Sequence, residues 1–254
     1  MLSGMILIVA ALAEELATGL NLCTRREKQR RPGLSLWTGE YRGRTAQFLK
    51  LGIGPHRAAA ELSAALATLK PNAVLNIGYA GALDPALELG DIVIGTRADL
   101  LSSESRGAPL DRLGLEGSWP LCAADELLGK ALSCGLRARA GIVLTSRWVM
   151  GAPEHKRILF DRFGAAVVDM ETAALARVAA AASVPLGCAR AVSDRAQDDF
   201  LAFLSYDPET GAVRRAARGI AAGGWLRRLH EWRAGSAAAR RSLSSLLGRV
   251  LEAG

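Results

Sequence analysis

Glu15, Glu171, Arg190, Ser193 and Asp194 are the residues whose types and positions suggest chemistry. Val167 and Val168 lead into Asp169, Met170 and Glu171, and then into the alanine-rich run Thr172–Ala176, which reads as a buried strand ending in a helix. About twenty residues later the apolar run Val184–Ala189 ends in Arg190, Ala191, Val192, Ser193 and Asp194. In open α/β sheets, ligands sit at the carboxyl ends of the strands. Two strand ends loaded with polar groups therefore predict one site, in which carboxylates exchange protons or hydrogen bonds with a small polar ligand. Each residue also has a plainer role open to it. Glu14 and Glu15 suit the first turn of a helix, where acids are favoured by the dipole, Asp169 suits a helix cap and Glu171 a helix start. His56, His155 and His230 are isolated and read as surface or capping residues.

Alternating strands and helices must position these groups. Ile6–Ala11 reads as a strand and is followed by a helix to about Leu20. Thr24–Gly33, polar and arginine-rich, is expected to be a loop, and Leu34–Tyr41 and Arg44–Leu51 to be strands around a Gly43 turn. Gly52, Ile53, Gly54 and Pro55 precede a helix over His56–Leu69, with glycines permitting close backbone approach of a ligand. Ala73–Ile77 reads as a buried strand, with Gly78, Tyr79, Ala80, Gly81, Ala82 and Leu83 after its end. Gly90–Thr96 is a further strand, and Arg97–Pro120 a long irregular segment of the kind that forms a lid or a subunit contact. A helix over Ala123–Cys134, a strand over Arg137–Thr145 and a helix over Glu154–Phe163 complete the series. The pattern predicts a three-layer α/β sandwich with a central mixed sheet.

With 254 residues, half of them apolar, the chain can bury a substantial core and is expected to form one domain over 1–254. Cys23, Cys122, Cys134 and Cys188 are scattered, without companion histidines at metal-ligand spacing, so no disulfide framework, metal site or other cofactor is indicated. That usage fits a reducing, cytoplasmic setting. Met5–Leu12 lacks a preceding basic residue, meets Glu14 and Glu15 at once, and is too short to span a bilayer. The formal charge of +7 resides entirely in a basic helical extension at about 212–254, where nine arginines stand against two glutamates. Trp225, Leu226, Leu229 and Trp232 share one helical face, and Leu243, Leu246, Leu247, Val250 and Leu251 another. Such helices either lie on anionic membranes or, more commonly, pack on their own core. No nucleic-acid-reading motif accompanies them, so a nucleic-acid partner is not expected.

Taken in order, Glu14–Glu15, Asn76–Gly81, Val168–Glu171 and Arg190–Asp194 resemble the nucleoside phosphorylase and nucleosidase superfamily over roughly residues 5–200. The chain looks similar to the methylthioadenosine/S-adenosylhomocysteine nucleosidases. The resemblance implies a nucleoside phosphorylase-like fold and the release of adenine from a 5′-substituted adenosine. It further implies that Glu171 holds the ribose hydroxyls with Met170 beside the sugar, and that Asp194, oriented by Ser193, protonates N7 of the purine. Glu15 positions or deprotonates a water, with Arg190 close to it. Gly78, Tyr79, Val149 and Met150 fall at the matching substrate-binding positions. The chemistry is consistent with the residue types: breaking an N-glycosidic bond develops positive charge on the ribose and negative charge on the base. Asp194 must then carry a proton when it acts, and Glu15 must be able to accept one.

Phosphorylases of this superfamily typically carry an arginine for phosphate where this chain has Asn76, which favours water as the nucleophile. Arg57, or Arg25–Arg31 of a neighbouring subunit, offers an alternative cation for phosphorolysis. Tyr79 replaces a small serine and is expected to crowd the nucleophile side, and Thr145–Met150 lacks the usual phenylalanine and isoleucine around adenine. Asp169–Thr172 and Pro153–Lys156 resemble instead the hopanoid-associated phosphorylase group, whose substrate is adenosylhopane, and a lipid substrate would suit the basic tail. A binding protein with the fold but not the reaction is the rival outside enzymes. The resemblance also implies a homodimer, with Leu110, Leu113, Leu115 and Trp119 completing a neighbour's pocket.

Overall fold

Strand β5 (Ala73–Ala82) is the axis of the molecule, because parallel neighbours flank it on both sides: β1 (Ile6–Ala10) and β10 (Leu186–Asp194). The computed structural model describes residues 5–102, 113–199, 204–207, 212–215 and 225–253. In chain order the other elements are α1 (Ala13–Leu20), β2 (Thr24–Arg31), β3 (Leu34–Tyr41), β4 (Arg44–Lys50), α2 (Pro55–Leu69), β6 (Ile92–Leu101), β7 (Leu115–Pro120), α3 (Ala124–Ser133), β8 (Ala138–Thr145), α4 (Pro153–Phe163), β9 (Val167–Asp169), α5 (Thr172–Ala181), β11 (Leu204–Asp207), β12 (Ala212–Arg215) and α6 (Trp225–Ala253). A ten-stranded mixed sheet runs β10-β6-β8-β9-β5-β1-β4-β3-β2, with β7 on β6. Because β10 also pairs with β5, the strands β5, β9, β8, β6 and β10 close into a ring at one end of the sheet. β11 and β12 form a separate antiparallel pair.

Helices cover both faces, as a three-layer α/β sandwich requires. One face packs α2 and α5 through Ala58, Leu62, Ala65, Ala173, Leu175, Ala176 and Ala179. The other packs α1, α3 and α6 through Leu16, Leu127, Ala131, Leu243, Leu246 and Leu247. Sequence sets the helix limits in simple ways. Pro55 and Pro153 occupy first-turn positions, where a missing N–H costs nothing, and Gly164 ends α4 at φ +60°.

Several expectations from sequence need correction. Thr24–Gly33 is not a loop: residues 24–31 form β2, the outermost strand, paired with β3 along one side. Its arginines and Lys28 are charges that protect a sheet edge from further pairing, and Lys28 Nζ lies 5.4 Å from the Trp37 ring centroid. β5 continues past Ile77 to Ala82, because the small residues from Gly78 onward still pair with β10 and β9. Within Arg97–Pro120, residues 97–101 belong to β6 and 115–120 to β7; residues 103–112, Leu110 among them, lie outside the described residues, whereas Leu113 is buried and Trp119 packs on the chain's own core. The tail is not helical throughout: residues 212–215 form β12, paired with β11, and only Trp225–Ala253 form the helix α6. Leu243, Leu246, Leu247, Val250 and Leu251 are buried against the core, so this face is not available to a lipid surface. The side chains of Trp225, Leu226, Leu229 and Trp232 lie outside the described residues. No described helix is long and apolar enough to cross a membrane.

Leu246 is fully buried, so Leu246→Ala is expected to destabilise the fold by about 2–5 kcal/mol in urea unfolding. A loss below about 0.5 kcal/mol would mean that α6 is not part of the core.

Candidate active site

The carboxyl ends of β5 and β10 lie side by side, with Arg190 opposite Gly78, and a buried charge cluster is built around that pairing. Arg190 is 2% exposed. Its guanidinium forms an ion pair with Asp169 Oδ2 at 2.6 Å and donates from Nη2 to Thr172 Oγ1 at 2.7 Å. The Thr172 hydroxyl also accepts from Asn76 Nδ2 at 3.0 Å and donates to Asp169. Asp169 further accepts from Thr145 Oγ1 at 2.7 Å and from the Thr172 N–H at the start of α5. It therefore serves as the helix cap expected of it and as a counter-ion, a second role with no local signal in the sequence.

Glu15 and Glu171 complete the cluster from α1 and from the N-terminal end of α5. Glu15 Oε2 accepts from the Leu12 N–H at 2.8 Å, and Oε1 from the Tyr79 N–H at 2.8 Å. Glu171 Oε1 accepts from the Gly54 N–H at 2.9 Å, which gives the glycine before α2 its place in the site. A Cβ added to Gly78 would overlap Arg190 Nη1 and lie 2.9 Å from Glu15 Oε1, so only glycine lets both groups reach the strand backbone. Burial raises the Glu15 carboxyl above its ordinary value, against the opposing effect of Arg190 and the two backbone donors. Burial, reinforced by the Asp169 charge, pushes Glu171 up to about 8. Burial disfavours the charged form of Arg190, but Asp169, Cys188, Glu15 and Glu171 outweigh it and hold the guanidinium above its ordinary value.

Farther along β10 a register shift between Val192 and Asp194 re-aims the strand end. Ser193 Oγ donates to Asp194 Oδ1 at 2.8 Å, and Lys156 Nζ on α4 donates to Asp194 Oδ2 at 2.5 Å. Lys156 is 0% exposed and its other donors meet the carbonyls of Arg195 at 2.7 Å and Asp198 at 3.2 Å. Gly81 lies beside Asp194, since a Cβ there would be 2.9 Å from Oδ2.

The structure thus brings Glu15, Gly78, Arg190 and Glu171 together, and puts Ser193 and Asp194 farther along the same strand. Met170 is half-buried between Asp169 and Glu171. Met150 is buried in an apolar cluster with Val168, the register partner of Gly81, and Val149 is half-buried beside it in sequence. Asn76 lies within β5, held on Thr172. One expectation fails. Tyr79 does not turn its ring into the cluster: it packs with Ile77 on the α1/α6 face, and only its N–H serves Glu15. Its phenol, pushed up to about 12 by burial with the Glu14 charge adding to it, is buried near Arg240 without a well-formed hydrogen bond.

Among the described residues, no group of His, Cys, Asp and Glu could hold a metal ion. Lys156 and the Asp169–Arg190 pair are the members that sequence reasoning missed. A signal for Lys156 exists, since a cation in the first turn of a helix opposes the helix dipole.

Fold and cluster together define an α/β protein with a buried, carboxylate-rich site at the ends of parallel strands. Residues 5–222 match the model of the phosphorylase superfamily, and the chain belongs to that superfamily. Among solved structures, the chain is similar to the 5′-methylthioadenosine/S-adenosylhomocysteine nucleosidase of Neisseria meningitidis in complex with methylthio-immucillin-A, with 17% identity, 98% and 99% of the two chains covered, and a TM-score of 0.73. It is also similar to the nucleosidase of Streptococcus pneumoniae in complex with 8-aminoadenine, at 20% identity, 97% and 99% coverage and a TM-score of 0.71. A futalosine hydrolase mutant of Helicobacter pylori matches at 18% identity, 96% and 98% coverage and a TM-score of 0.69. These likenesses establish the shared fold.

The raised Glu171 gives a pH dependence of known sign. Between about 4.5 and about 8 the folded chain keeps a proton that the unfolded chain releases, so stability falls as pH rises through that window and levels off above it. Glu171→Gln is expected to flatten part of the fall in Tm between about pH 5 and 8.5. An unchanged slope in the variant would show that Glu171 is not the group responsible.

Proposed function

We propose that the protein is a purine nucleosidase that hydrolyses the N-glycosidic bond of a 5′-substituted adenosine, such as methylthioadenosine or S-adenosylhomocysteine. The observation that carries the reading is the division of β10 into two ends of one site. Arg190 gathers Glu15, Asp169 and Glu171 at one point, and Ser193 with Asp194 stands beyond it toward the strand terminus. Excess carboxylate suits a ribose that becomes positive, and a proton-bearing group suits a purine that becomes negative. Glu171 and Met170 take the ribose, Asp194 oriented by Ser193 protonates N7, and the apolar cluster around Met150, with Val149, flanks the base. Gly78 leaves the room that Arg190 and Glu15 themselves occupy.

Water as nucleophile is supported by the distribution of cations. The Arg190 guanidinium is already committed to Asp169 and Thr172, Asn76 to Thr172, and exposed Arg57 to Glu61 at 3.2 Å. Glu15, raised by burial, is suited to take the proton of a water attacking C1′. The reading extends to a homodimer in which Leu115, 42% exposed, meets a second copy. A monomeric mass by light scattering at micromolar protein would count against that extension.

The test is purine release, followed by chromatography with and without phosphate, from methylthioadenosine, S-adenosylhomocysteine, adenosylhopane and futalosine. Release without phosphate is the expected result, and strict phosphate dependence would replace hydrolysis by phosphorolysis. Asp194→Asn is expected to lower kcat about 10²–10⁴-fold on a purine nucleoside. Unchanged turnover in that variant would exclude Asp194 as the proton donor.

A further inference from the structure

Among the described residues, Lys156 is the one fully buried lysine, and the sandwich itself does not call for its charge. It enters from the first turn of α4, where the helix dipole disfavours a cation. A buried ion pair is weak support for a fold, since apolar replacements of similar volume are often neutral or stabilising. Yet all three of its protons are used: one on Asp194 Oδ2 at 2.5 Å, one on the Arg195 carbonyl at 2.7 Å and one on the Asp198 carbonyl at 3.2 Å. The charged neighbours are accounted for. Arg195 and Asp198 pair with each other in the turn after β10, Arg195 also reaches Glu88 at 3.7 Å, and Asp194 is the carboxylate facing Lys156.

The arrangement around Asp194 leaves one chemical question. Ser193 donates to Oδ1 and Lys156 to Oδ2, so each oxygen is already an acceptor. An ionised Asp194 has no proton to give to N7. The ammonium on Oδ2 is a proton held within hydrogen-bond distance of a buried carboxylate.

We propose that Lys156 is the positioning residue and proton store for Asp194, a step that rests on the nucleosidase reading above. As the C1′–N9 bond breaks, its electron pair passes to the purine. One proton moves from Lys156 Nζ to Asp194, and Asp194 delivers one proton to N7. The pair is left as a neutral amine beside a carboxylate, and the released base carries the proton. Glu15 releases to solvent the proton it takes from the attacking water, and solvent returns one proton to the Lys156 amine after the product leaves, which closes the cycle. The clamp on the Arg195 and Asp198 carbonyls fixes the turn, so that Asp194 keeps its aim through the cycle.

The test compares wild type with Lys156→Met and Lys156→Arg on methylthioadenosine and on a 5′-methylthio-4-nitrophenyl riboside, whose leaving phenolate needs no proton. Lys156→Met is expected to lower kcat on the purine substrate about 100-fold or more, with KM within about threefold, and to lower it less than about fivefold on the nitrophenyl substrate. Its alkaline limb in the kcat–pH profile should move to lower pH, because Asp194 must then take its proton from solvent. Lys156→Arg keeps the charge but holds its proton, and should not restore purine turnover. Equal losses on both substrates would reduce Lys156 to a structural tie. Full activity of either variant on the purine, with an unmoved profile, would overturn the proposal. If Lys156→Met does not fold, the Lys156→Arg comparison on the two substrates decides alone. An inactive wild type would overturn the nucleosidase reading and this step with it, whereas an active wild type with unaffected variants overturns this step only.

Discussion

The buried charge of Arg190 is the constraint on which the rest of the site depends. A guanidinium cannot shed its proton, so once β10 carries it into the interior every surrounding group must supply acceptors. Asp169 and Thr172 do so directly, and they tie the end of β9 and the first turn of α5 to β10. Thr145 and Asn76 then hold Asp169 and Thr172, which links β8 and β5 into the same network. Satisfied in this way, the network is rigid; with one partner missing it would leave a buried charge at a cost of about 3–5 kcal/mol. Gly78 is the steric condition for it all, because any side chain there would fill the space Arg190 and Glu15 occupy.

The closure of one end of the sheet explains why such polar groups converge. In the ring of β5, β9, β8, β6 and β10, the small residues Ala80, Ala82, Val93, Ala98, Val143 and Val192 are buried in one core cluster. Gly95 and Gly141 have no room for a Cβ against Leu121 and Ala166. A tight ring tilts its strand ends toward one another, so β10 can contribute Arg190 to the cluster and, past its bulge, Ser193 and Asp194 to the next part of the site. α6 bears on that bulge from outside: a Cβ on Gly235 would overlap the Ser193 carbonyl. The C-terminal helix thereby supports the site as well as the core.

What is legible in the sequence follows from the range of the forces involved. Apolar runs ending in polar groups signal buried strand ends, and for that reason Glu171, Arg190, Ser193 and Asp194 stand out by type and position, whereas Glu15 is set apart from Glu14 only by the resemblance. The face on which Tyr79 projects is also readable, since Ile77 and Tyr79 alternate with Asn76 and Gly78 on a strand of period two. The tyrosine in place of a small serine points to the nucleophile side, whereas the alternation puts its ring on the opposite face. β2 is hidden because its charges come from being an edge, where one side meets only water. Asp169–Arg190 and Lys156–Asp194 cannot be read from the chain, because partners 21 and 38 positions apart are chosen by the closure of the sheet and the docking of α4, not by local pattern.

Counting protons shows how the two parts of the site differ. Around Arg190, three buried carboxylates share one guanidinium, and burial raises both Glu171 and Glu15 above their ordinary values. Around Asp194, one carboxylate meets one ammonium and the pair is neutral. A bond whose cleavage makes one side positive and the other negative meets opposite fields at these two points. In the proposed reaction the carboxylate-rich end faces the developing cation and the Lys156–Asp194 end faces the developing anion. Both ends are fixed by the fold before any substrate enters. The difference between them is therefore preorganised, and it runs in one direction along β10.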